Sequence, residues 1–221
     1  MFVRKEGWKL AEIHWISDGK MEAARLIEIA SAVHPLTDYI HLREKSMSAR
    51  DLFALAEGLI RTGVPAGKLV INDRIDVALA AGAGGVQLAW HSLRPAAARA
   101  AAPGLRIGVS VHSPAEAAEA GLEGADYCLY GHVFPSACKP GQAARGLRQL
   151  REAVSSSSIP LIAVGGIRPD NAGEILQEGA AGIAVMSGIG SAADPAAAGR
   201  AYRWAADNGQ RLRWHTGKGG E

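Results

Sequence analysis

An apolar run, Tyr127-Cys128-Leu129-Tyr130-Gly131, passes straight into His132, and Ser136, Cys138 and Lys139 then follow on a segment broken by Pro135, Pro140 and Gly141. A polar loop of that composition at the end of a buried strand is where a scaffold carries its chemistry. An imidazole there takes and gives a proton near neutral pH, so His132 is the leading acid/base candidate. Two other stretches offer backbone rather than side chains. Val164-Gly165-Gly166-Ile167 and Val185-Met186-Ser187-Gly188 each close an apolar run with residues that let N–H groups approach an anion without a Cβ in the way. Gly165, Gly166, Ser187 and Gly188 are therefore the candidate phosphate contacts, the alternative being tight turns. Arg43 and Lys45 add positive charge after another short strand, where a solvated loop is the competing reading. Asn72 closes a third strand; the next residue, Asp73, reads more simply as the cap of the following helix.

The remaining histidines sort by position. His14 and His41 fall within strands, as core or pore-lining groups. His91 and His112 border helix starts, His34 precedes Pro35 in a connection, and His215 lies near the C-terminus. No H-x-x-H, C-x-x-C or carboxylate pair has metal-ligand spacing, so neither metal nor cofactor is expected from the spacing alone.

These residues need elements to hold them. Strand patterns recur at Leu10–Ile16, Tyr39–Leu42, Leu69–Ile71, Gly85–Leu88, Arg106–Ser110, Tyr127–Tyr130, Leu161–Val164 and Gly182–Val185. Helical spacing fills the intervals, near Met21–Val33, Ala49–Arg61, Arg74–Ala81, Pro95–Ala102, Pro114–Glu123, Leu147–Val154 and Asp170–Glu178, with a last helix near Pro195–Ala206. Ser113-Pro114-Ala115-Glu116 and Asp194-Pro195 are helix starts, and Gly63, Gly121 and Gly179 are placed as helix stops. Apolar strands alternating with helices demand parallel pairing with crossover helices, and eight such units make a single-domain (β/α)8 TIM barrel, with a doubly wound open sheet as the alternative. In the barrel every candidate above sits at the C-terminal end of a strand, as do Ser17, Asp18 and Ser110. The barrel is expected to occupy residues 1–209, with a frayed lead-in before residue 10 and a disordered tail over 210–221.

Composition narrows the partners. Twenty-four basic against 22 acidic residues leave a net charge of +2, too weak a field to favour nucleic acid or an anionic membrane, while a small phosphorylated ligand fits. Two cysteines in one strand-loop unit, with no secretory pattern and no apolar run of roughly 18 residues, predict a cytoplasmic protein with reduced thiols.

Taken in order, His41-Leu42-Arg43-Glu44-Lys45, Val70-Ile71-Asn72-Asp73-Arg74, Gly108-Val109-Ser110-Val111-His112-Ser113, Gly131-His132-Val133-Phe134, Ala163-Val164-Gly165-Gly166-Ile167 and Ala184-Val185-Met186-Ser187-Gly188-Ile189 resemble the thiamine phosphate synthase superfamily, and within it the TenI-type thiazole tautomerases. The resemblance covers residues 10–202. It implies two branches. The synthase couples a thiazole phosphate to a pyrimidine diphosphate, with Mg²⁺ held by two aspartates after the third and fourth strands. Here Asp73 stands at the first of those positions and Ser92 at the second; His41 and His132 stand where the synthase usually has Gln and Pro. Those departures favour the tautomerase, which aromatises the carboxylated dihydrothiazole phosphate made by thiazole synthase. On that reading His132 shuttles the proton, with His41 in reserve. Arg43, Lys45, Asn72, Ser110, Lys139 and His41 line the substrate pocket, and Gly165, Gly166, Ser187 and Gly188 grip phosphate. No metal is needed, thiazole synthase acts upstream, and a homodimer is compatible with the superfamily. The synthase and a non-enzymatic thiazole-phosphate-binding regulator are the alternatives. Closure of residues 135–146 would bring Lys139 and Arg145 onto the ligand.

Overall fold

The computed structural model describes residues 10–136 and 141–216, with 210–216 as helix backbone alone. Eight strands alternate with helices: β1 Glu12–Ile16, α1 Ala23–Val33, β2 Tyr39–Leu42, α2 Ala49–Arg61, β3 Leu69–Asn72, α3 Ile75–Ala80, β4 Gly85–Leu88, α4 Pro95–Ala101, β5 Arg106–Val111, α5 Pro114–Leu122, β6 Tyr127–Gly131, α6 Gly146–Ser156, β7 Leu161–Val164, α7 Ala172–Gln177 and β8 Gly182–Val185. A single-turn helix, α8 Ser187–Gly190, and the long α9 Pro195–Thr216 complete it. The strands pair in parallel in chain order, and β8 returns to β1 in the register Glu12 to Gly182, His14 to Ala184, closing the (β/α)8 barrel. The open-sheet alternative is thereby excluded.

Local chemistry explains the helix ends. Ser113 caps α5 by accepting from Glu116 N–H, and the Glu116 carboxylate reaches back to the His112 N–H at 2.8 Å. Asp194 Oδ1 accepts from Ala197 N–H at the start of α9. Gly121 does not end its helix. It lies inside α5, where a Cβ would stand 2.3 Å from Ser158 Oγ, and the left-handed residue is Gly124 instead. Nor does α9 stop near residue 206 or give way to a tail at 210. Tyr202, Ala205 and Ala206 are buried and Gly209 faces Gly173 of α7, so packing continues past residue 206, and the helix backbone runs to Thr216.

The chain has two interiors of different character. Between sheet and helices lies an apolar shell; α2, for example, buries Leu52, Leu55, Ala56 and Leu59 at helical spacing. Inside the barrel the filling is divided. Ile16, Tyr127, Leu129, Ile162 and Ala184 form one cluster, with Val164 and Met186 against it. The other part is polar: Glu12, His14, His41, Gln87 and Arg106. Strands with an outer face of Ile13 and Trp15 or Ile40 and Leu42 thus alternate apolar-out with polar-in, which is why their runs look less uniformly apolar than a two-sided buried strand. Among the described residues no helix is long and apolar enough to cross a membrane.

Candidate functional site

The C-terminal strand ends gather the candidate groups at one mouth. Strand β2 delivers Arg43 and Lys45 on a loop pinned by a buried contact: Ser17 Oγ donates to the Glu44 carboxylate and accepts from the Arg43 N–H at 2.9 Å. Lys45 is exposed. Asn72 is the last residue of β3, and its Oδ1 is buried without a hydrogen-bond partner. Asp73 does not cap α3. It adopts φ 66°, a left-handed conformation, and the N-cap position falls to Arg74 without a side-chain bond. Ser110 points inward from β5 and takes a hydrogen bond of 3.1 Å from Gln87 Nε2, while Gln87 Oε1 accepts from the Tyr127 hydroxyl at 2.8 Å. Lys139 lies outside the described residues.

His132 follows β6 and is nearly buried. Its ring stands 3.2 Å by Nε2 from the Gln142 carbonyl, so Nε2 carries the proton there and Nδ1, buried without a partner, is left as an acceptor. The loop around it continues the sheet: Val133 and Phe134 N–H groups bond to the carbonyls of Val164 and Gly165 at 3.0 and 3.1 Å. Arg145 holds the same turn. Its Nε donates to the Gly131 carbonyl at 3.0 Å, its backbone N–H donates to the His132 carbonyl, and His112 Nδ1 also reaches Gly131 O. Arg145 is therefore already engaged without any closure of the loop.

Gly165 and Gly166 have positive φ, 99° and 66°, and each lies under the β6 loop. A Cβ on Gly165 would fall 2.3 Å from His132 Cβ, and one on Gly166 2.5 Å from the Pro135 carbonyl oxygen. These glycines are required by the turn and its neighbour whatever they bind. Asn171 ties the same segment down, donating to Gly166 O and accepting from Arg168 N–H. Ser187 and Gly188 are exposed at the start of α8, where the first N–H groups of a helix have no intrahelical acceptor. A Cβ on Gly188 would collide with the Tyr202 hydroxyl.

His41 sits deeper than the sequence suggests. It is fully buried inside the barrel, 2.8 Å from His14 Nδ1, and His14 Nε2 is 3.0 Å from the Glu12 carboxylate, which Arg106 meets with both oxygens at 2.9 and 3.1 Å. Arg106 lies between the faces of Tyr39 and Tyr127, 4.4 and 4.5 Å from their centroids. Burial alone would raise the Glu12 carboxyl; the hydrogen bond from His14 and the charge of Arg106 outweigh it and hold it down to about 2. Burial pushes His14 below its ordinary value, and burial with His14 and Arg106 nearby pushes His41 well below. Glu12 and Arg106 were not singled out from the sequence, although the alternation Glu12-Ile13-His14-Trp15 is the signal that could have found the first.

The donor set does not match a magnesium site built on two aspartates. Asp73 supplies one carboxylate, facing His91 Nε2 at 3.5 Å, but the second position is Ser92, whose hydroxyl accepts from the Ala89 N–H at 2.8 Å. Among the described residues no group of three or more His, Cys, Asp or Glu is placed to hold a metal ion.

Comparison with known proteins adds independent information. The thiamine monophosphate synthase family pattern matches residues 13–189. Thiamine-phosphate synthase of Chlorobium luteolum is 46% identical over 164 residues, covering 73% of this chain and 77% of its own. That of Pyrococcus furiosus is 42% identical over 156 residues, covering 70% and 75%. A solved thiamine phosphate pyrophosphorylase from Pyrococcus furiosus superposes with a TM-score of 0.77 at 34% identity, over 90% of this chain and 96% of that one. A 3-hexulose-6-phosphate synthase, 22% identical with a TM-score of 0.72, shares the fold. The thiazole tautomerase expectation is corrected by these matches, because the relatives at this level of identity carry the name of the synthase. The expectation rested on the departures at His41, Ser92 and His132 from the synthase pattern.

Proposed function

We propose, from the premise that this chain belongs to the thiamine monophosphate synthase family, that it joins a thiazole phosphate to a pyrimidine carried as its diphosphate ester and releases pyrophosphate. The observation that carries this reading is the 46% identity to a curated thiamine-phosphate synthase over most of the barrel. In the reaction the C–O bond to the diphosphate breaks, a bond forms from the same carbon to the thiazole nitrogen, and the electron pair leaves with pyrophosphate. Little covalent work falls to the protein; holding two substrates in line and meeting their charge is the larger part. The backbone at Gly165, Gly166, Ser187 and Gly188 serves the thiazole phosphate, and Arg43 and Lys45 offset the charge of the diphosphate. Asn72, Ser110 and His41 supply polar contacts from the barrel wall. In the family magnesium would compensate charge on the leaving group, but the residues at Asp73 and Ser92 do not reproduce its two-carboxylate seat, so the protein's own cations carry more of that task here.

The test supplies purified protein with both substrates and follows pyrophosphate and thiamine phosphate together. Both are expected to accumulate in equal amounts, and neither should form when the thiazole phosphate is withheld. Absence of pyrophosphate above the protein-free control rejects the reading.

The substitution at residue 92 has its own consequence. Ser92→Asp places a second carboxylate beside Asp73 while keeping an oxygen for the Ala89 N–H, and Mg²⁺ binding measured by titration calorimetry is expected to tighten on the order of tenfold, because affinity for a hard cation follows ligand charge. Equal affinities in the two proteins would show that residue 92 does not share a cation with Asp73.

A further inference from the structure

One buried hydroxyl touches both glycine-bearing turns at the mouth of the barrel. Strands β7 and β8 are neighbours, with Val164 in register with Ala184, so the turns that leave them lie side by side. Tyr202 of α9 is buried, and its Oη donates to the Ile167 carbonyl at 2.9 Å. The same oxygen occupies the space a side chain at residue 188 would need: a Cβ there would stand 2.1 Å from Oη and 3.0 Å from Cζ. Tyr202 is thus wedged between the turn after β7 and the turn after β8. On the β7 side its bond fixes a peptide plane. A trans peptide sends its C=O and N–H in opposite directions, and the Ile167–Arg168 peptide is held at both, the carbonyl by Tyr202 and the N–H by Asn171 Oδ1 at 2.8 Å. Asn171 Nδ2 takes the preceding carbonyl, that of Gly166, and the Phe134 N–H takes that of Gly165, each at 3.1 Å. Every carbonyl of the turn is turned into the protein, which sets the opposite direction of the Gly166 and Ile167 N–H groups. Packing alone does not ask for the hydroxyl, since phenylalanine would fill the same ring volume.

We propose that Tyr202 is a positioning residue for phosphate: its hydroxyl fixes the β7 turn through Ile167 and, by abutting Gly188, sets the separation of the β8 turn, so that backbone N–H groups of both meet one anion. The inference rests on the reading that these two turns receive the thiazole phosphate. Backbone donors cannot re-aim as a lysine ammonium does, so the affinity of such a grip depends on how firmly its two halves are held from behind. Residue 188 is then glycine to admit the tyrosine oxygen as well as to bare its own backbone.

Titration calorimetry with two probes, the thiazole phosphate and the thiazole alcohol that lacks the phosphate, separates positioning from general support. Tyr202→Phe deletes Oη and keeps the ring. Its Kd for the phosphate ester is expected to weaken about tenfold, as befits one lost hydrogen bond, while that for the alcohol stays within about twofold. An unchanged affinity for the ester, or an equal loss for both probes, overturns the proposal. Gly188→Ala supplies the second variant. Its Cβ meets the hydroxyl, so it should weaken binding of the ester more in the wild-type background than in Tyr202→Phe, and additive losses would show that the two residues act separately. In steady state the effect of Tyr202→Phe should fall on KM for the thiazole phosphate, with kcat and the KM for the pyrimidine diphosphate held within about twofold. A wild type that releases no pyrophosphate, yet loses affinity for the ester alone in Tyr202→Phe, would reject the transferase reading and leave the role of Tyr202 standing. A wild type that releases pyrophosphate but binds ester and alcohol equally would keep the transferase and overturn the proposal.

Discussion

Gly165→Ala is expected to destabilise the barrel by about 3 kcal/mol and to abolish measurable pyrophosphate release, although it adds a single methyl group. Two costs combine. The residue has φ 99°, where an L side chain is strained by about 1–2 kcal/mol. The added Cβ also falls 2.3 Å from His132 Cβ and 2.7 Å from its Cα, and overpacking against such a neighbour costs roughly 1–3 kcal/mol. Because the obstacle is main chain and Cβ rather than the tip of a flexible side chain, no rotamer change relieves it. Gly63 supplies the control. Its φ is 95° and a Cβ added there would meet nothing within 4 Å, so Gly63→Ala carries the conformational strain alone, about 1 kcal/mol. Urea unfolding of the two variants at unchanged slope separates the terms. A Gly165→Ala protein no less stable than Gly63→Ala would mean that His132 does not pack on the β7 turn in solution.

The same pair of glycines illustrates what a sequence conveys. Gly63 and Gly165 look alike in the chain, each closing an element; only the three-dimensional neighbour separates a helix stop from a turn lying under another loop. Strand positions are legible because short apolar or β-branched runs bounded by turn residues are local: Tyr39–Leu42, Gly85–Leu88, Leu161–Val164 and Gly182–Val185 are read with their observed limits. Closure into a barrel follows from counting βα units. The polar axis is not legible, since Glu12 and Arg106 are separated by 94 residues and nothing local announces that β1 and β5 face each other across the barrel. Function is misread at Ser92, His41 and His132, where single departures from a family pattern receive more weight than identity spread over the whole barrel.

Arg106→Met should produce the other large effect, a loss of about 3–5 kcal/mol at neutral pH, the usual result of stripping one partner from a buried ion pair. Glu12 would keep its hydrogen bond from His14 but lose both contacts to the guanidinium, and Tyr39 and Tyr127 would lose the cation between their rings. The pH dependence identifies the cause. In the wild type the Glu12 carboxyl is held at about 2, below its ordinary 4.5, so its contribution to stability is complete above pH 4.5 and is lost as pH falls from there toward 2. That displacement corresponds to roughly 3 kcal/mol at most. Without Arg106 the carboxyl titrates higher, the contribution disappears, and the gap between the two proteins should narrow through the same interval. His14 and His41, both held below the ordinary histidine value, lower stability in either protein once pH drops under about 6.5, so the absolute curves decline earlier than their difference does. Glu12→Gln added to Arg106→Met removes the uncompensated charge, and the double variant should be more stable than Arg106→Met alone. A pH-independent gap, or a double variant less stable than the single, would show that Arg106 supports the barrel through packing between the tyrosines rather than through its pairing with Glu12.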